Sequence, residues 1–121
     1  MSRDHRSLDA FKLADELALS VYIATADLGA VERFGLQNQL RRAAISVPAN
    51  IVEGCARESE AELKRFLEIA LGSAREVIYL MDLARRLGLI DPGEALKVTE
   101  LGNRSAAAIT ALRRWFRSRP L

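Results

Sequence analysis

Side chains able to do chemistry are few in this sequence. The 121-residue chain contains one histidine, His5, and one cysteine, Cys55. Nucleophilic catalysis needs a base within hydrogen-bond reach of the nucleophile, and a His-based zinc site needs several ligands. A lone histidine in a polar N-terminal stretch supplies neither, so His5 is read as part of a flexible tail, residues 1–7. Cys55 stands two positions before Arg57, and a nearby cation lowers a thiol pKa. No base accompanies it, so a structural thiol is expected. Glu53, Glu68 and Glu76 are candidates for inward-facing carboxylates. Ferritin-like bundles hold metals with Glu-x-x-His motifs, and none occurs here. Ion pairing with Arg41, Arg42 and Arg75 is the expectation instead, in a buried or interfacial set that fixes geometry more than it adds stability. No catalytic residue, metal, cofactor or small-molecule substrate is expected. Gly54 and Gly72 are isolated and make no phosphate-binding loop.

Basic side chains offer more. Arg113, Arg114, Arg117 and Arg119 fall within seven residues, with Trp115 and Phe116 among them and no acid. Guanidinium groups interleaved with an aromatic ring suit phosphates and stacked bases. Arg41 and Arg42 form a second basic pair. Arg41, Arg42, Arg113, Arg114 and Arg117 are therefore the candidate contacts to RNA or DNA. The same arginines also suit a helix C-terminus, and Trp115 equally suits a core edge or an interface. Overall charge does not decide between these: 18 Lys and Arg against 16 Asp and Glu give only +2. Its distribution is more telling, since residues 91–121 carry 6 basic and 3 acidic side chains, whereas residues 1–28 carry 3 and 5.

Four amphipathic segments must position these groups. In the first, about 8–28, Phe11, Ala14, Leu17, Ala18, Val21 and Tyr22 make one stripe. In the second, 36–54, Leu40, Ala43, Ala44, Val47 and Ile51 do so. Pro48 removes an amide donor there, but Val47 and Ile51 keep the register of Leu40 and Ala44, which predicts a kinked yet continuous helix. The third, 59–87, opens with a Ser59–Glu62 capping box and acidic first turn. It closes with Arg85, Arg86 and Gly88, placed for a C-terminal cap with Leu89 folding back. Asp91 as cap and Pro92 at the first helical position start the fourth, 92–118. No strand-like alternation occurs. Short loops between long helices make sequence neighbours antiparallel. The expected fold is all-α, a single antiparallel up-down-up-down four-helix bundle.

Two stretches have a further meaning. Phe34-Gly35-Leu36 followed by Gln39-Leu40-Arg41-Arg42-Ala43-Ala44-Ile45-Ser46-Val47-Pro48-Ala49-Asn50-Ile51-Val52-Glu53-Gly54 resembles the signature of the 23S rRNA intervening-sequence protein family. Phe66-Leu67-Glu68-Ile69-Ala70-Leu71-Gly72-Ser73-Ala74-Arg75-Glu76 resembles its second block. The chain departs from the family's usual pattern at Phe11, where a Trp is typical, and at Ile78, Tyr79 and Leu80, where polar residues are. The resemblance implies a four-helix bundle associating into a ring-like homopentamer. It also implies kinship with the accessory variability protein of diversity-generating retroelements, a basic pentamer that binds nucleic acid and a reverse transcriptase.

The residues independently favour self-association. Ile69, Leu71, Ile78, Tyr79 and Leu80 lie wholly or partly off the main stripe of the third segment, and a helix apolar on more than one face is deeply buried or shared with a partner. With Trp115 they are the candidate interface. Gly72, among Ala70, Ser73 and Ala74, reads as a small-residue patch for close helix approach. With one cysteine, no signal-like N-terminus and no apolar run long enough to span a bilayer, the expected location is the cytoplasm.

Overall fold

The computed structural model describes residues 3–29 and 33–118, with side chains of all these except Arg33, Phe34, Arg117 and Ser118. A short turn, His5–Ser7, leads into helix α1, Asp9–Ala24. A widened turn, Arg33–Gln37, feeds α2, Asn38–Cys55; then follow α3, Glu60–Arg86, and α4, Pro92–Ser118. Helices α1–α2, α2–α3 and α3–α4 pack side by side, and α4 closes back on α1.

Paired residues fix the direction of each helix. Along the α2–α3 junction Gln39 meets Glu76, Ser46 meets Ser73, and Gly54 meets Leu63. Along α3–α4, Ile78 meets Gly102 and Glu68 meets Arg113. One number rises as the other falls, so these neighbours are antiparallel. Grooves along α1–α4 repeat the pattern, with Ile23 beside Lys97–Arg104 and Leu8 beside Ala108–Trp115. The fold is the expected all-α four-helix bundle. No helix among the described residues is long and apolar enough to cross a membrane.

Local signals account for the helix ends. Ser59 Oγ accepts from the Glu62 amide at 3.1 Å, and Asp91 Oδ2 accepts from the Gly93 and Glu94 amides. Gly88 takes φ +74°, a left-handed conformation that glycine adopts without a Cβ penalty. Leu89 N–H then reaches back to the Ala84 carbonyl at 3.0 Å. Helix α2 runs unbroken through Pro48, while Asn50 Nδ2 donates to the Ser46 carbonyl and hydroxyl at 2.7 and 2.9 Å.

Helix α1 is shorter than its periodicity suggests, ending at Ala24 rather than Leu28. The cause lies in the turn before α2 and in α2 itself. Gln37 Nε2 donates to the Thr25 carbonyl at 2.6 Å and Arg41 donates to the Tyr22 carbonyl at 3.2 Å, while Thr25 Oγ1 donates back to the Val21 carbonyl at 2.7 Å. Two acceptors that a longer helix would use are thus satisfied from outside it.

The core runs the length of the bundle, with Leu17, Val21, Leu40, Val47, Ile51, Leu63, Leu67, Val77, Met81, Val98 and Ile109 fully buried. Close helix approach is made at glycines other than the one expected. A Cβ on Gly54 would sit 3.0 Å from Leu63 Cδ1, and one on Gly102 would sit 2.7 Å from Ile78 Cγ1. Gly72 faces open space.

Candidate functional site

A concavity of about 610 Å³ lies along the α2–α3 junction and is lined by Gly35, Asn38, Gln39, Arg42, Ala43, Ser46, Ser73 and Glu76. The two sequence blocks that carry the family resemblance face each other across it. Serine hydroxyls at 2.8 Å bridge its floor, and Gln39 Nε2 spans it to Glu76 at 3.5 Å. Arg42 stands exposed on the rim, with no ion-pair partner among the described residues. Amides, hydroxyls, one carboxylate and one guanidinium make this a hydrogen-bonding surface. It holds neither histidine nor cysteine, and among the described residues no three His, Cys, Asp or Glu side chains group as metal ligands would.

The candidate nucleic-acid contacts are not brought together. Arg41 is committed to the end of α1: its Nε donates to Thr25 Oγ1 at 2.9 Å and its guanidinium lies 4.3 Å above the Tyr22 ring. Arg113 pairs with Glu68 at 2.9 Å and its side chain is only 25% exposed. Arg114 is exposed, without an ion-pair partner among the described residues. The side chain of Arg117, like Arg119, lies outside the described residues. Helices α2 and α4 stand diagonally across the bundle, so Arg42 and Arg114 occupy different faces. Trp115 is part-exposed beside Phe116, ring to ring at 4.9 Å and 90°.

The candidate interface residues divide. Ile69 and Tyr79 are exposed, Tyr79 by 58%. Leu71 is half-buried against the core, and Ile78 half-buried against Gly102. Leu80 is 5% exposed and belongs to the core, because α3 is wrapped by both α2 and α4 and buries a wider arc than its main stripe. The most exposed large apolar groups among the described residues are Ile23, Leu19, Leu87 and Leu96, none of them a candidate interface residue. Ile23 is 71% and Leu19 61% exposed, and Tyr22, read as core, is also exposed; Ile45 and Val52 are exposed on α2. A signal was present: Leu19 and Ile23 are one turn apart and opposite the Leu17–Val21 stripe.

The acidic residues also differ from expectation. Glu53, Glu68 and Glu76 are all exposed rather than inward. Glu53 pairs with Arg57 and Glu68 with Arg113, not with Arg41, Arg42 or Arg75. Cys55 is buried, and burial pushes its thiol above the ordinary value against a smaller opposing pull from Arg3. That is the reverse of an activated nucleophile. His5 is not loose in a tail but packs edge-on against Phe11, centroids 4.8 Å apart. Beside it, the Asp4 carboxyl is held down at about 2, first by its hydrogen bonds from the Arg6 side chain and then by the Arg6 amide.

The sequence model for the 23S rRNA-intervening sequence proteins matches residues 6–111. Among solved structures, one similar to this chain is the crystal structure of a protein with unknown function from the S23 ribosomal protein family of Bacteroides thetaiotaomicron VPI-5482. The two are 22% identical, the match covers 87% of this chain and 95% of that one, and the TM-score is 0.80. At that identity the likeness speaks for the fold. No curated protein matches the chain.

Proposed function

The chain belongs to the 23S rRNA-intervening sequence protein family, and on that footing we propose that it is a non-catalytic scaffold that assembles with copies of itself, five to a ring. The observation that carries this reading is the placement of exposed apolar side chains on three consecutive helices. Leu19 and Ile23 stand one turn apart on α1, Ile45 and Val52 two turns apart on α2, and Ile69 and Tyr79 are both exposed on α3. Single exposed apolar groups are ordinary. Paired ones on successive helices of a small bundle are what an interface would take out of water. The number five rests on the family resemblance of the 34–54 and 66–76 blocks. Charge reversal tests the reading: the Ile23→Glu and Tyr79→Glu double variant should keep its helical circular dichroism and elute as a smaller particle than the unaltered chain. Unchanged elution of the two proteins would sink this choice of interface.

A second reading is nucleic-acid binding, favoured by the exposed Arg42 and Arg114, which have no ion-pair partner among the described residues. One such pair is a weak site, but repetition around a ring raises effective concentration and avidity. Anisotropy titration with RNA and DNA oligonucleotides at low salt tests it. Binding that falls steeply with added salt would support phosphate contacts, and no binding at low salt would leave the scaffold alone.

A further inference from the structure

The cleft along the α2–α3 junction holds polar groups that the chain's own bonding leaves available. Its floor can be counted proton by proton. Asn50 Nδ2 donates to the Ser46 carbonyl at 2.7 Å and to Ser46 Oγ at 2.9 Å, and Ser46 Oγ lies 2.8 Å from Ser73 Oγ. Each serine carries one hydroxyl proton, and the bond between the two oxygens uses only one of them. Whichever serine donates, the other's proton has no acceptor among the described residues. Both serines line the cleft, so that proton is offered to whatever occupies it. Arg42 adds an exposed guanidinium from α2 that has no ion-pair partner among the described residues. Glu76 lines the same cleft from α3 without pairing with Arg42. Its bond from Gln39 Nε2, at 3.5 Å, is longer than the usual range of about 2.7–3.2 Å.

We propose that this cleft receives the carboxyl-terminal end of a peptide. The terminal carboxylate sits on Arg42 and the spare serine proton, and a peptide N–H is accepted by Glu76. The chemistry selects this class of ligand in three steps. A guanidinium beside a hydroxyl donor favours an oxyanion, which accepts charge-assisted hydrogen bonds. Glu76 repels a ligand that is anionic throughout, so the oxyanion must come with an N–H donor close by, as a chain-terminal carboxylate does. Asn38 and Gln39 then supply carboxamides, each with the donor and acceptor that match a peptide bond. A nucleotide fits less well, because no aromatic ring lines the cleft for a base to stack on. The volume of about 610 Å³ lies within the range of about 300–1,000 Å³ typical of small-ligand sites.

The test is a titration of the full chain with N-acetyl-trialanine, followed by NMR at the side-chain amide signals of Asn38 and Gln39. The free acid should move both signals and saturate. The same peptide with a carboxamide end should bind about tenfold more weakly, the loss expected when a hydrogen bond to a charged group is removed. Arg42→Gln, on an exposed side chain that spares the core, should weaken the acid about tenfold and leave the carboxamide peptide unchanged. Equal affinity of the unaltered protein for acid and carboxamide would overturn the proposal, as would signals that stay still at the highest soluble peptide concentration. Inorganic phosphate or adenosine monophosphate binding as tightly as the acid peptide would overturn it too, because the cleft would then read negative charge alone.

Discussion

Arg41 and Arg114 carry the same charge, each in a pair of adjacent arginines, yet their surroundings give them different work. Arg41 is bound to a hydroxyl, a carbonyl and an aromatic face at the end of α1. Arg41→Ala should therefore lower stability by about 1–2 kcal/mol, the range for a lost cation–π contact and hydrogen bonds to a helix end, as read by urea denaturation. Arg114→Ala should change stability by less than about 0.5 kcal/mol, as surface substitutions do. Asp4 offers a separate test by pH. Its folded carboxyl is held at about 2, below the ordinary aspartate value of 3.8. A depressed folded value means that its stabilising contribution is present in full above the unfolded value and is lost as pH falls from near 4 through 2. Carboxyl chemical shifts should place the Asp4 midpoint near 2, and Arg6→Ala should return it towards the ordinary range. A midpoint unmoved by that substitution would contradict the assigned cause.

Helix ends and helix contacts show what could be read without coordinates. Ser59, Gly88 and the Asp91-Pro92 pair act on their own backbone within a few residues, so their meaning is local and the sequence carries it. The end of α1 does not work that way. It is set by Gln37 and Arg41, 12 and 16 positions beyond Thr25, and no pattern inside α1 announces them. Glycine is the same lesson in packing. Gly72 looks like a contact residue and faces open space, while Gly54 and Gly102 are pressed against neighbouring helices. Which face of a helix meets which neighbour depends on the whole bundle. Opposite outcomes follow for one substitution. Gly72→Ala should stabilise by up to about 1 kcal/mol through helix propensity. Gly102→Ala should destabilise, because the 2.7 Å approach to Ile78 costs on the order of 1–3 kcal/mol of overpacking against that same gain. Thermal unfolding of the two variants compares them directly. The candidate site was legible to the same partial degree: residue types and blocks were visible, but Leu80 turning inward and Arg113 pairing with Glu68 are tertiary facts.

Over the whole molecule, two features bear on the proposed assembly. A continuous core of buried side chains runs through all four helices. The outside nevertheless carries exposed apolar side chains on α1, α2 and α3. Self-association would bury these groups, and would set Arg42 and Arg114 in repeated array around a ring. Light scattering on the unaltered chain at micromolar concentration tests this most directly. The account predicts a mass near five times the 13.4 kDa subunit, about 67 kDa; a mass of one subunit would contradict it.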